Sequence, residues 1–403
     1  MRDKSNYIHT VSGKNLVEAY DKALVKLNKE GKIVPCNAYS TKYKEIVQKE
    51  IALALNVEDV ENDALISKAF FCGERDLQNY LFEFLYGSRN FCVKAYESGK
   101  APNFWPYTYP QRFEDQIDWL LDTLIFDKES RRVVLTVRDK DVDMNIDDPA
   151  CLQLMQFKLR NNKLYMTAIM RSNDATQASG MNMFGFIHFQ KMIAEKLKER
   201  AEEYIEIFKD MKRNTTDEEE KQNYQETIDY LKTFRKVKAK GYTHIANSYH
   251  AYGQAVSKEE FEKELLTEGK TFEDALKEGS VIPYGKDKYV IGEIRKLHTG
   301  ANTIEKRSVE EMTYPYKIPD EYGYCWNKQM MDSSYDILVN NVIASAKSYD
   351  LLDLELFSRI NSILDDFGLS YEVLKEECLK QGINLDKELE VQKVKVRTKT
   401  NKN

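Results

Sequence analysis

The chain has 403 residues, 42% hydrophobic and 31% charged, with 17 glycines and 8 prolines. That length allows two or three domains, or one large domain with additions, and the composition excludes whole-chain disorder and a collagen-like repeat. A formal net charge of −6 excludes a generally basic nucleic-acid coat, so no direct nucleic-acid binding is expected, but it leaves room for a local basic pocket that holds a phosphate.

In chain order, KNLVEAYDKALVKLNKE (14–30) spaces its apolar residues for a helix stopped by Gly31. ERDLQNYLFEFLY (74–86) is a second helix, closed by Gly87. APNFWPYTYPQRF (101–113) carries three prolines and reads as an aromatic loop of the kind that lines pockets. EDQIDWLLDTLI (114–125) predicts a helix, and SRRVVLTVRD (130–139) a strand that opens on arginines. LQLMQFKLR and KLYMTAIMR flank Asn161-Asn162 as a β-hairpin, and a helix follows over about 181–200.

From about 197 to 240 the composition turns to charge with a thin apolar stripe. This predicts a solvated helical hairpin with NTTDE as its turn and cap, serving as scaffold or partner contact. Residues 258–310 mix short helices with one strand, KYVIGEI. The last ninety residues, with DSSYDILVNNVIASAKSYDLLDLELFSRINSILDDFG (332–368), read mainly helical, and the basic tail KVKVRTKTNKN as disordered. The 25 tyrosines favour buried rings with polar tips.

Six cysteines (Cys36, Cys72, Cys92, Cys151, Cys325, Cys378) form no CxxC pair, and no histidine lies at zinc-ligand spacing from them. Free thiols in a reducing compartment and no metal are expected. The first residues contain no apolar signal region, and no apolar run approaches the roughly 20 residues that cross a bilayer. The chain reads as soluble and cytoplasmic, without membrane contact.

Four clusters carry chemistry. Ser130-Arg131-Arg132 offers two planar guanidinium forks suited to phosphate. DDPAC (147–151) ends on Cys151 at the entrance to the hairpin, where a buried small hydrophobe and a nucleophile are both possible readings. Arg171-Ser172-Asn173-Asp174 lies at the hairpin exit, with Asn182 eight residues after Asp174. HIANSYHAY (244–252) gives the spacing H-x5-H-x-Y, and residues two apart on a strand share a face.

In this order and spacing, over about residues 75–190 and 241–254, the clusters resemble the thymidylate synthase family, which includes the pyrimidine nucleotide hydroxymethylases. RDLQNYLFEFLYG, DQIDWLLDTLIFDKESRR, DPACLQLMQFKLRNNKLYMTAIMRSNDATQASGMNM and GYTHIANSYHAY carry the resemblance. It implies an α/β (α+β) fold: a large mixed β-sheet flanked by helices, paired back to back in a homodimer with shared active sites. Residues 1–257 form the catalytic domain, with a helical insertion at about 197–240. Residues 258–403 form a mainly helical C-terminal extension that completes or decorates it.

The chemistry implied is addition of the Cys151 thiolate to carbon 6 of a pyrimidine nucleotide. That makes carbon 5 nucleophilic toward the one-carbon unit of 5,10-methylenetetrahydrofolate, the cosubstrate. Arg171 nearby, with the other arginines, is expected to favour the thiolate. By the same resemblance Arg171 and Ser172 hold the nucleotide phosphate, and Arg131 and Arg132 reach it from the other subunit. His250 and Tyr252 hold the sugar hydroxyl. Asp174 contacts the ring through its backbone and the pterin through its carboxylate. Asn182 reads the base edge, where Asn goes with uracil, so dUMP is expected over dCMP.

The departures are specific. The family's catalytic Glu position, seven residues before Gly87, is Tyr80, with Glu83 one turn along. Leu152 follows the nucleophile where His is common. Tyr107 and Tyr109 compete for the proton-handling tyrosine, and Tyr109 is preferred. Lys42 weakly stands in for a phosphate-binding loop. The tail does not resemble the family's closing segment. These departures favour water over hydride as terminal acceptor. The expected product is then 5-hydroxymethyl-dUMP, as in a phage deoxyuridylate hydroxymethyltransferase acting in the host cytoplasm. A divergent thymidylate synthase making dTMP, a dCMP hydroxymethylase and a nucleotide-binding protein without turnover are the alternatives.

Overall fold

The computed structural model describes residues 7–62, 65–72, 74–87, 106–312 and 371–380, with 382, 384, 386 and 387. The chain divides into two compact units. One comprises Met1–Cys72 with Asp118–Lys317, the other Gly73–Ile117 with Ile318–Asn403.

Among the described residues the first unit is built on a ten-stranded mixed sheet. Its strands are β1 (His9–Gly13), β2 (Lys32–Pro35), β3 (Glu45–Val57), β4 (Val134–Thr136), β5 (Leu152–Arg160), β6 (Lys163–Met170), β7 (Asn173–Asp174), β8 (Lys238–Ser257), β9 (Ile282–Pro283) and β10 (Lys288–Ile291). The main path runs β1-β3-β8-β6-β5-β4. β1 is parallel to β3 and β6 to β8, whereas the β3–β8, β6–β5 and β5–β4 pairs are antiparallel.

The 20-residue β8 is the axis of this arrangement. β3 lies along one edge, from Tyr242 against Val57 to Ala255 against Glu45. The other edge is taken in turn by β6 (Lys238 to Ala246), β7 (Tyr249 and His250) and β10 (Gln254 to Ser257). The handover from β6 to β7 is the stretch that holds Arg171 and Ser172.

Local sequence explains the elements. Asn15 caps α1 (Leu16–Glu30) by accepting from the Glu18 N–H at 2.9 Å, and Gly31 closes it. Asn161 (φ 51°) and Asn162 (φ 57°) both adopt the left-handed region, the requirement of a two-residue hairpin turn that matches strand twist. In β6, Leu164, Met166, Ala168 and Met170 are buried while Tyr165, Thr167 and Ile169 stay partly exposed, a period of two. Ser257 and Glu260 form a capping box that starts α5 (Lys258–Thr267) directly after β8. β10 then returns to β8, so residues 258–304 continue the sheet unit.

Several expected boundaries move. The strand expected over 130–139 is only β4, so Arg131 and Arg132 precede it. The helix expected over 181–200 and the first arm of the charged hairpin are one helix, α3 (Ser179–Asn214), because no Gly or Pro interrupts the charged run. Asp217 caps α4 (Glu218–Lys232) by accepting from the N–H groups of Glu219 and Glu220. The thin apolar stripe faces inward: Ile228 and Leu231 are buried, and the Tyr230 hydroxyl donates to the Ile125 carbonyl of α2 (Ile117–Phe126) at 2.9 Å. Residues 238–240 belong to β8.

In the second unit the Glu74–Tyr86 helix forms as expected. Tyr109–Phe113, expected as loop, is a helical turn with Pro110 in its first positions, where the missing N–H is harmless. Of the last ninety residues, Tyr371–Lys380 forms a helix, whereas residues 101–105, the stretch 332–368, the basic tail, Cys92 and Cys325 lie outside the described residues. Among the described residues, no helix is long and apolar enough to cross a membrane.

Candidate active site

Cys151 stands just before β5, partly buried. The β5–β6 hairpin returns the chain beside it, and the Arg171 N–H donates to the Cys151 carbonyl at 2.9 Å. The Arg171 guanidinium wraps the segment before the cysteine. Nε donates to the Ala150 carbonyl (3.2 Å), and Nη2 to the Pro149 carbonyl (2.6 Å) and Asp148 Oδ1 (3.1 Å). About a third of the Arg171 side chain remains exposed, since its relative accessibility is 37%.

Burial pushes the Cys151 thiol up, Arg171 pulls it back, and Asp148 adds to the rise. The net direction is upward. The expected thiolate-favouring environment is therefore not supplied by this chain's own charges, because desolvation outweighs one partly neutralised guanidinium.

At the β6–β7 handover, Ser172 is partly exposed. Asp174 pairs with His250 across β7 and β8. Its Oδ1 accepts from the Thr176 N–H (2.9 Å), the Thr176 hydroxyl (2.9 Å) and the Gln177 N–H (3.0 Å). His250 and Tyr252 share a strand face, with ring centroids 4.6 Å apart and nearly perpendicular. His250 Nδ1 donates to the Ser248 carbonyl at 3.1 Å, and the Ser248 hydroxyl donates to Glu50 at 2.8 Å. Burial, with Tyr39, Cys36 and Asp174 nearby, raises the Tyr252 phenol.

Asn182, in the first turn of α3, is buried and accepts on Oδ1 from Asn173 Nδ2 at 2.9 Å. Asn173 Oδ1 meets His244 Nε2 at 3.0 Å, and His244 Nδ1 meets the Tyr242 hydroxyl at 2.7 Å. Burial pushes His244 down to about 3, so the ring is neutral at physiological pH.

The structure thus gathers Cys151 with Arg171, and Asp174 with His250 and Tyr252, at the ends of β6 and β7, and it places Asn182 behind Asn173. Arg131 and Arg132 are not brought to Cys151 within the chain. Both are exposed, Arg132 pairs with Asp127 at 3.3 Å, and the Arg131 carbonyl accepts from Gln156. Gln156 is five residues along β5 from Cys151, roughly 16 Å by strand rise.

Tyr80, Glu83 and Tyr109 belong to the second unit. There Phe84 packs against Tyr80 (5.9 Å), Tyr109 (6.1 Å) and Phe113 (5.5 Å), while Tyr107 lies 6.1 Å from Tyr109. Lys42 is exposed, with its ammonium 5.5 Å from the Tyr43 ring centroid. The sequence reading passed over Tyr39, which meets Tyr252 edge-on at 5.7 Å, and gave no role to Asn173 and Tyr242. A cavity of about 400 Å³ lined by Tyr20, Leu24, Phe70, Leu297 and Met312 includes none of the expected residues.

The family described as thymidylate synthase matches residues 84–242. A Methanocaldococcus jannaschii protein provisionally named a thymidylate synthase is 30% identical over 190 residues, covering 45% of this chain and 80% of its own. A Methanosarcina barkeri protein with the same provisional name is 24% identical over 203 residues, 49% of this chain and 85% of its own. Among solved structures, the thermostable thymidylate synthase A from Bacillus subtilis matches with a TM-score of 0.40 and 13% identity, covering 59% of this chain and 80% of that one.

Proposed function

The chain belongs to the thymidylate synthase family, and we propose that it transfers a one-carbon unit from 5,10-methylenetetrahydrofolate to carbon 5 of dUMP. The observation that carries the reading is Cys151 held against Arg171 at the hairpin's open end. One side chain is a candidate nucleophile, and the other is a candidate anion fork that already touches the cysteine's own segment.

Cys151 Sγ adds to carbon 6 of the pyrimidine, and carbon 5 becomes the nucleophile. The cosubstrate supplies the one-carbon unit and, when reduction follows, a hydride. Arg171 and Ser172 hold the phosphate, His250 and Tyr252 the sugar hydroxyl, and Asn182 the base edge. Asp174 fits a pterin contact, since among the described residues the hydrogen bonds to its carboxylate fall on Oδ1. The resemblance assigns proton handling to Tyr109 and Glu83, with Tyr80 standing where the family has Glu. A thiol raised by burial needs further positive charge, which Arg131 and Arg132 of the partner subunit supply in a homodimer. Support for that pairing comes from the half-covered face of β6 (Tyr165, Thr167, Ile169) and from the exposure of both arginines.

For the product, the relatives' names favour reduction to a methyl group and hence dTMP. Leu152 and Tyr80, which depart from the family pattern, favour capture by water and 5-hydroxymethyl-dUMP. Incubation with dUMP and carbon-labelled methylenetetrahydrofolate separates them: dTMP with dihydrofolate marks reduction, and hydroxymethyl-dUMP with tetrahydrofolate marks hydration. Label in neither nucleotide, from protein that binds dUMP, overturns the reading as an enzyme.

A further inference from the structure

We propose that Tyr242, His244 and Asn173 form a buried relay that fixes which end of the Asn182 amide faces the base, making them positioning residues that select uracil over cytosine. The inference rests on the reading of Asn182 as the base-edge contact. Its own content is the direction of three hydrogen bonds.

β8 puts Tyr242 and His244 two residues apart on one buried face, β7 brings Asn173, and the first turn of α3 brings Asn182. The links measure 2.7, 3.0 and 2.9 Å. The Phe186 ring lies nearly parallel to the imidazole, with centroids 6.3 Å apart.

A neutral imidazole carries a single N–H, so its two nitrogens cannot both donate. The relay therefore runs one of two ways. In the first, the Tyr242 O–H donates to His244 Nδ1, Nε2–H donates to Asn173 Oδ1, and Asn173 Nδ2 donates to Asn182 Oδ1. In the second, every bond reverses: Nδ1–H donates to the Tyr242 oxygen, Asn173 turns its amide to donate to Nε2, and Asn182 donates inward through Nδ2.

The second direction strands a proton. Among the described residues His244 is the one hydrogen-bond partner of the Tyr242 hydroxyl, the ring is buried, and burial holds the phenol protonated. An O–H without an acceptor in such a place is unfavourable by tenfold or more in population. Tyr242 thus biases His244 to the Nε2–H tautomer, and the bias reaches Asn182 two links away.

The consequence is chemical. With Oδ1 tied to Asn173, the Nδ2 hydrogens of Asn182 turn away from the relay. Uracil offers a carbonyl acceptor at carbon 4, whereas cytosine offers an amine donor. The first direction meets uracil with a donor; the second would present an oxygen suited to cytosine.

The test combines nitrogen-15 NMR of histidine-labelled full-length protein with titration calorimetry against dUMP and dCMP. Wild type is expected to show His244 as the Nε2–H tautomer; an Nδ1–H ring overturns the proposal without any variant. Tyr242→Phe is expected to lose the tautomer preference and to lower the dUMP-to-dCMP affinity ratio by about tenfold or more. Asn173→Asp, whose carboxylate only accepts, is expected to turn Asn182 and shift the ratio toward dCMP. Asn182→Ala separates the two layers. If it keeps the wild-type ratio, Asn182 does not read the base, and the proposal falls with that reading. If it loses the ratio while Tyr242→Phe keeps both ratio and tautomer, Asn182 stands as reader and the relay is wrong.

Discussion

The two ends of α3 use similar polar chemistry for different purposes. At the N-terminal end, Asn182 is buried and sits in a chain of hydrogen bonds running into the sheet. At the C-terminal end, Lys209 pairs with Glu206 and Arg213 with Asp210, each three residues apart on an open face. Exposed pairs of that kind contribute a few tenths of a kcal/mol, while an unpaired group beside Asn182 costs about 1–3 kcal/mol. Burial, not the number of polar contacts, decides where a substitution is felt.

The largest departure from that contrast is expected at Cys151, where chemistry adds to burial. Cys151→Ser should lower turnover by about a thousandfold or more while dUMP still binds, as single-turnover assays and calorimetry would show. Because burial raises this thiol, its alkylation by iodoacetamide in the unliganded protein should still accelerate with pH above 9. A plateau near neutral pH would mean that positive charge from elsewhere dominates. Arg171→Ala should raise KM for dUMP by about a hundredfold, and Arg171→Lys should recover little, since an ammonium cannot span the Pro149 and Ala150 carbonyls and Asp148 together.

Asp21 tests the buried side through pH. Its carboxyl accepts from the Ser67 hydroxyl at 2.8 Å, and burial lifts it to about 6. The folded state then binds the proton more tightly than the unfolded state. The associated stability is complete below about pH 4 and is lost as pH rises through 6. Asp21→Asn should flatten that decline and gain about 2 kcal/mol at pH 7, read from urea unfolding at several pH values.

On the open side, Asp217→Ala removes the cap of α4 and should cost about 1 kcal/mol without changing kinetics. Arg213→Ala should change stability by less than about 0.5 kcal/mol. A larger loss there would break the contrast.

Much of this was legible because local rules and tertiary needs agreed. Asn161-Asn162 marked the hairpin, Gly31 and Gly87 the helix ends, and the alternation of KLYMTAIM a half-buried strand. The boundary near 197 misled because a change of composition is not a change of backbone: Lys196 to Arg200 prolong the helix as readily as the residues before them. β4 was overextended because β-branched residues next to Arg131 and Arg132 read as strand, whereas pairing with β5 begins only at Val134. The candidate site was legible as motif spacing, but its electrostatics were not. Whether Arg171 outweighs burial at Cys151 depends on the guanidinium's other partners, Asp148 and two carbonyls. Asn173 and Tyr242 looked like filler in R-S-x-D and in a run of alternating strand residues, and their partners lie on other elements.

β8 acts as a ruler. Three segments dock one after another on its second edge, so the spacing between the tyrosine–histidine pair at 242 and 244 and the pair at 250 and 252 is written into one strand, including its register shift against β3 between Ala246 and Tyr249. Adding a single residue between them would turn the later pair to the opposite side of the sheet.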